Sequence, residues 1–266
     1  MSTLIDPRAI VSSRAELGTG VCIGPYTIIE EGAVIGDGSS VASHALIGRG
    51  ARIGRNCVIH HGAVVGHTPQ DLKYRNEPTT CELGDRNEVR EYAVLHRGTA
   101  DSGRTVIGND NYFMAFTHVA HDCVIGDHVI LSNAAMMAGH CVVEDWVIVG
   151  GITPIHQFVH IGCHAMIGGG IRVPKDIPPY VLAGDSPARF LGLNAVGLRR
   201  RGFKPEVITA IESAYKLLYR SQLNISRGMA RIQEDESLMT FQEVRHILEF
   251  IGGSSRGIIG ATRTRG

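Results

Sequence analysis

Along this chain the apolar positions recur every six residues. Counting in sixes from Ile5 to Val173 gives 29 positions, of which 26 are apolar and three, Asp71, Glu77 and Asp101, are acidic. The run is unbroken from Ile5 to Val65, resumes at Leu83, Val89 and Leu95, and continues without a gap from Ile107 to Val173. Six is neither the 3.6 of an amphipathic helix nor the simple 2 of a half-buried strand. It fits a short strand plus a turn, repeated, with one aliphatic side chain per unit pointing at a shared axis. Such hexapeptide repeats are the mark of a parallel β-helix, whose stacked units bury one continuous core.

Glycine often follows the apolar position, as in Ile23-Gly24, Ile35-Gly36, Ile53-Gly54 and Ile125-Gly126. A small residue there lets the chain turn without crowding the next unit. Two stretches interrupt the count, at about 66 to 82 and 97 to 106, and each returns in phase. They therefore read as loops thrown out from one corner of an intact coil, and long loops on a rigid scaffold carry function or meet a neighbouring subunit.

The repeat ends near Val173-Pro174, where Pro174, Pro178 and Pro179 are expected to stop ladder pairing. Beyond it the pattern turns helical. Pro205 opens a segment with Val207, Ile208, Ile211, Ala214, Tyr215 and Leu218 on one face. A weaker helix is expected at about 226 to 237. Thr240-Phe241-Gln242-Glu243 reads as a capping box before a helix closed by Gly252-Gly253. The expected division is a β-helix over 1–190 and a small α-helical domain over 191–266.

Composition narrows the options. Basic and acidic residues balance at 26 each, so total charge gives no argument for nucleic acid, and any anion site must be local. Six scattered cysteines (22, 57, 81, 123, 141, 163) form no CxxC pair. They read as buried fillers in a reducing compartment. With no basic-flanked apolar segment at the start and no run of 18 apolar residues, a soluble cytoplasmic protein is expected.

Thirteen histidines are the candidate chemistry. His96, His118, His121, His140 and His156 lie in the central and later units, none at an inward position, so all five are expected to face outward. If three units make a coil of 18 residues, His121 and His140 stand about one rung of ~4.8 Å apart. Two chemistries compete for the cluster. Three imidazoles can hold Zn²⁺ with a position open for water, or one neutral imidazole can serve as general base. Periodicity leaves both open. Spacing leans against the metal, because His118 and His121 share one unit and need not converge.

Several strings are more specific: Gln70-Asp71-Leu72-Lys73-Tyr74, Leu95-His96-Arg97-Gly98-Thr99, Thr117-His118-Val119-Ala120-His121-Asp122-Cys123, Ala138-Gly139-His140, Ile155-His156-Gln157-Phe158 and Arg200-Arg201-Gly202-Phe203. Together, with the tail Ser255-Arg256-Gly257-Ile258-Ile259, they resemble the acyl-carrier-protein–UDP-N-acetylglucosamine O-acyltransferases that begin lipid A synthesis. The resemblance spans nearly the whole chain. It implies a left-handed parallel β-helix, an exception to right-handed crossovers, and a homotrimer with active sites between neighbouring prisms. It implies transfer of a (R)-3-hydroxyacyl chain from acyl carrier protein to the 3-hydroxyl of UDP-N-acetylglucosamine, with no metal and no tightly bound cofactor.

The resemblance also assigns roles. His121 is implied as general base, Asp122 as the group that fixes its tautomer, and Gly139 as a backbone N–H donor to the oxyanion. Asp71, Lys73, His118, His140 and Gln157 are implied around the sugar and pyrophosphate, and Asn194, Arg200 and Arg201 near the nucleotide. His96 and His156 are expected to support. Gly169 stands where residue size limits acyl length, so a long chain is expected. Two positions depart from the family: Val196 replaces a common acidic residue near the uracil, and Pro187 replaces a histidine near the acyl pocket.

Three rivals remain. One is a β-helical metal hydrolase or carbonic-anhydrase-like enzyme using His96, His118 and His121 or His140. Another is a non-catalytic scaffold, which needs neither the loops nor the histidines. The last is the N-acyltransferase of the same pathway, which usually carries an extra N-terminal domain.

Overall fold

In the computed structural model, which describes residues 2–262, the six-residue count becomes a triangular prism. Strands of two to five residues follow one another through three sheets of 11, 8 and 8 strands, parallel but for the last strand of the first sheet. The first face carries Leu4–Ile5, Cys22–Ile23 and Ser40–Val41. The second carries Ile10–Val11 and Ile28–Ile29, and the third Glu16–Leu17 and Val34–Ile35. Partners on one face are 18 residues apart, as in Val41 with Ile59, so three units make one coil. The coil winds in the left-handed sense, as the resemblance implies.

The inward residues form the core. From Ile23 to Val173 every apolar position of the count is buried. Ile5, Val11 and Leu17, in the first coil, remain partly or fully exposed because no coil stacks beneath them. The glycines after the inward position are there for close approach. A Cβ on Gly54 would meet the Gly84 backbone carbonyl at 2.5 Å, and one on Gly36 would meet Gly54 at 2.6 Å. The corner itself turns two residues later, where the chain enters the left-handed region at Tyr26, His44, Asn56, Asp122, His140 and their equivalents.

Both loops leave the same prism edge, between the second and third faces. Residues 68–79 separate strands Val64–His67 and Thr80–Leu83, and 97–103 separate Val94–His96 and Arg104–Ile107. Across the first, Ile59 pairs with Val89, 30 residues on. Across the second, Val89 pairs with Phe113, 24 residues on. The insertions are therefore multiples of six, which is why the count resumes in phase.

Four expectations need correction. The prolines do not end the ladder: Val181–Gly184 pairs in parallel with Met166–Ile167, and Arg189–Leu193 adds antiparallel to it. Pro178 and Pro179 lie at a corner, where no ladder N–H is needed. His96 does not face outward but is 4% exposed, opposite His67 in the ladder. The capping box is not made, because Phe241 is the N-cap of the last helix and the Thr240 hydroxyl donates back to Ser237 O at 2.7 Å. Cys22 is exposed and Cys163 half-buried, so only four of the six cysteines are fillers.

Among the described residues the C-terminal part holds five helices: α1 (Ala195–Arg200), α2 (Pro205–Tyr219), α3 (Ile225–Gln233), α4 (Glu236–Met239) and α5 (Gln242–Gly253). Their apolar faces, including Ile211, Tyr215, Ile247 and Phe250, join the prism core without a break. The buried Tyr215 hydroxyl donates to Pro179 O at 2.6 Å, tying α2 to the last coil. Close coil approach gives a direct test. Gly54→Ala should cost about 1–3 kcal/mol of stability by overpacking against backbone, read from chemical denaturation, and an unchanged midpoint would contradict it.

Candidate active site

The corners that follow the two loops on the same edge are Ala120–Cys123, Ala138–Cys141 and His156–Val159. Coil stacking therefore lines up loop 68–79, loop 97–103, His121, His140 and Gln157 along one ridge. Together Asp71, Lys73, Asp101, His121, His140, Gln157 and Phe158 line a cleft of about 600 Å³. A larger cleft of about 830 Å³ lies nearer the N-terminus, under the first loop, with Arg49, Arg52 and Arg97 on its walls. It contains none of the ridge histidines.

His121 Nδ1 lies 2.7 Å from Asp122 Oδ2. Asp122 is itself clamped by the second loop: Thr99 N–H donates to Oδ1 at 3.0 Å, Thr99 Oγ1 to Oδ2 at 2.7 Å, and Ser102 Oγ to Oδ1. Burial pushes this carboxyl up, but the hydrogen bonds from Ser102, Thr99 and His121 outweigh it and hold it at about 2. An ionised carboxylate can only accept, so Nδ1 carries the ring proton and Nε2 presents a lone pair. His140 stands one coil on, its ring centroid 5.1 Å from that of His121 and nearly perpendicular, and it stacks on Phe158 at 4.6 Å.

Gly139 lies against the His121 ring. A Cβ there would sit 2.6 Å from Cε1 and 2.8 Å from Nε2, so no other residue leaves the ring in place. Its N–H has no acceptor among the described residues. Lys73 and Asp71 share a turn of the first loop, with Lys73 N donating to Asp71 Oδ1 at 2.9 Å. His118 is half-buried on the second face, its Nε2 3.4 Å from His96 Nδ1. Burial, then the neighbouring imidazoles, lowers both, His96 to about 4. They stay uncharged at neutral pH. His156 is exposed, with Nδ1 3.1 Å from Gln157 O.

The remaining candidates lie on other edges. Arg201 stacks over Trp146 at 5.2 Å, on the edge between the third and first faces. Arg200 is exposed at the end of α1. Asn194 caps α1, accepting from Gly197 N at 3.2 Å, and its Nδ2 donates to His164 O at 2.9 Å. Gly169 is exposed at a corner between the first and second faces. Sequence reasoning missed Thr99, Ser102 and Phe158 as parts of the site. Thr99 and Phe158 ended two of the quoted strings, and the loop that brings in Ser102 was legible, but its inward fold onto Asp122 was not.

The metal reading fares differently from the base. Among the described residues, the donor groups close enough to share an ion are His121–Asp122–His140 and Glu144–Cys163–His246. The expected trio of His96 and His118 with His121 or His140 is not among them. In the first group His121 already spends Nδ1 on the carboxylate.

The fold is a prism of hexapeptide coils carrying a carboxylate-held histidine beside a glycine, and comparison with known proteins places it among the hexapeptide-repeat acyltransferases. Residues 14–49, 32–67 and 104–138 match the bacterial transferase hexapeptide family, and 176–259 match domain 2 of UDP-N-acetylglucosamine O-acyltransferase. The acyl-[acyl-carrier-protein]–UDP-N-acetylglucosamine O-acyltransferase of Burkholderia mallei is 46% identical over 200 residues, 73% of this chain and 76% of that one. The same enzyme of Burkholderia lata is 47% identical over 198 residues, again 73% and 76%. The solved UDP-N-acetylglucosamine acyltransferase of Bacteroides fragilis superposes with a TM-score of 0.94 at 42% identity, covering 96% of this chain and 100% of that one. That of Francisella novicida gives 0.94 at 35%, covering 98% and 95%. The chain belongs to the UDP-N-acetylglucosamine O-acyltransferase family. These relatives are named as acyltransferases, and nothing among them supports the hydrolase alternative.

Asp122 yields a pH prediction. Its folded pKa of about 2 lies below the ordinary 3.8, so its hydrogen bonds stabilise the fold above that value and are lost as pH falls through about 2. In acid titrations of stability, wild type should lose more between about pH 4 and 2 than Asp122→Asn. Superimposable curves would contradict the clamp.

Proposed function

We propose that this enzyme transfers a (R)-3-hydroxyacyl chain from acyl carrier protein to the 3-hydroxyl of UDP-N-acetylglucosamine, with His121 as general base. The observation that carries this reading is the Asp122–His121–Gly139 arrangement. Nε2 accepts the proton of the sugar hydroxyl as its oxygen attacks the thioester carbonyl. The carbonyl oxygen becomes an oxyanion, for which the free Gly139 N–H is a donor. Asp122, ionised, holds the ring and offsets the imidazolium charge. The intermediate collapses by breaking the carbon–sulfur bond, and the imidazolium returns its proton to the carrier's thiolate.

In this reading Asp71, Lys73, His118, His140 and Gln157 orient the sugar and pyrophosphate, and Lys73 supplies a mobile cation from its loop. Arg200 and Arg201 face the nucleotide phosphates, where Arg can grip with two donors. Asn194 acts through α1, by fixing the arginines that follow it. Gly169 leaves room for a long acyl chain. We assign the chain a homotrimer, because these groups occupy three different prism edges and only a neighbour's edge can complete the cleft at His121. No helix among the described residues is long and apolar enough to cross a membrane. Six free cysteines fit a cytoplasmic setting.

Mass spectrometry of the product formed from UDP-N-acetylglucosamine and mixed short and long hydroxyacyl carriers tests the whole reading. An O-acylated sugar bearing mainly the long chain is expected. His121→Ala should lower turnover at least ~10²–10⁴-fold with the subunits still assembled. Near-normal turnover removes His121 as the base, and preference for the short chain removes Gly169 from its role.

A further inference from the structure

A second cluster lies where α5 docks on the edge between the third and first faces. Cys163 Sγ is 3.6 Å from His246 Nδ1, and His246 Nε2 is 3.1 Å from Glu144 Oε2. The same carboxylate oxygen accepts Cys163 N–H at 2.8 Å. His160 Nε2 lies 2.9 Å from Glu144 Oε1, though poorly aimed for a hydrogen bond. Sulfur, imidazole and carboxylate thus stand in series, each ring nitrogen of His246 facing a different partner. That is the order of an activated nucleophile, its base and the group that orients the base. A chelate would instead point one nitrogen and the other donors at a common centre.

We propose that Cys163, His246 and Glu144 form a second reactive centre, a thiolate site for small-molecule disulfides and other soft electrophiles, on a different prism edge of the chain from His121. His246 Nδ1 is placed to take the thiol proton. The thiolate attacks one sulfur of the disulfide, a new sulfur–sulfur bond forms as the old one breaks, and the departing thiolate takes a proton from solvent. Hydrogen bonds to Cys163 and then Glu144 raise His246 to about 10. Burial pushes the Glu144 carboxyl up, but the close imidazoles of His160 and His246 and the Cys163 N–H outweigh it and hold it at about 2. The other charged or titratable groups facing the centre are His164 beside Cys163, Tyr180 from the next coil, Arg201 after α1 and Glu243 on α5. The site is built at the seam, so an adduct sits between prism and α5.

The chain carries its own control, because Cys22 is exposed with only a long contact to Gly20 O. Iodoacetamide labelling of the full protein, resolved by peptide mapping, should modify Cys163 at least ~10-fold faster than Cys22 at about pH 6, where an ordinary thiol is almost wholly protonated. Between about pH 6 and 8 the Cys163 rate should stay nearly flat while that of Cys22 climbs. Oxidised glutathione should form its mixed disulfide at Cys163 first. His246→Gln should bring the Cys163 rate down to or below that of Cys22, and Cys163→Ser should keep transferase activity. A Cys163 rate that climbs in parallel with Cys22, or is unchanged in folded His246→Gln, overturns the proposal. The pH comparison needs no variant.

Discussion

Everything in this molecule depends on one packing constraint, that each coil must lie directly on the one before it. One aliphatic per six residues fills the prism interior, and the glycine after it lets backbone approach backbone. Stacked strands in such a ladder are spaced by ~4.8 Å. Corner residues of successive coils are thereby fixed relative to one another with little freedom. His121 and His140 are neighbours for that reason, and Gly139 lies against the His121 ring for the same one. The scaffold supplies rigidity, and the loops need only reach in.

The second loop shows how that reach is used. Its Thr99 and Ser102 close on Asp122, which sits in the left-handed region of its corner with 6% exposure. A buried carboxylate is costly unless its acceptor sites are filled, and here three loop donors and His121 fill them. The tautomer of His121 is thus decided by a loop only 20 to 23 residues before Asp122, about one coil of sequence, through hydrogen bonds rather than through any contact with substrate. Adjacent His96 and His118 are kept neutral by burial, so the cleft gains no standing positive charge from them.

The fold was legible because its signal is periodic and redundant: twenty-six apolar positions repeat one statement. The common edge of loops, His121 and His140 follows from an 18-residue coil and insertions that are multiples of six. Other features were invisible for physical reasons. His96 looks outward by count, yet the irregular ladder beside the first loop turns it under cover. Thr240 carries a capping signature, but the short α4 before it takes the hydroxyl first. The pairing of Cys163 with His246 joins residues 83 apart in sequence, and no local pattern encodes how α5 docks. The prolines after Val173 spoke of ladder ends, but two of them fall at a corner where a missing N–H costs nothing.

Within one chain His121, the proposed base, and Arg201, the proposed nucleotide contact, stand on different prism edges, so the proposed function rests on a site completed by a neighbouring subunit. Mixed trimers test this directly: His121→Ala subunits co-assembled with Arg201→Ala subunits, each inactive or nearly so alone. If each site draws its base from one subunit and its arginine from the next, random mixing in equal amounts leaves about a quarter of the sites intact, and activity should return to about that fraction of wild type. Mixed trimers no more active than the weaker-damaged parent would place both residues in one subunit's site and contradict the account.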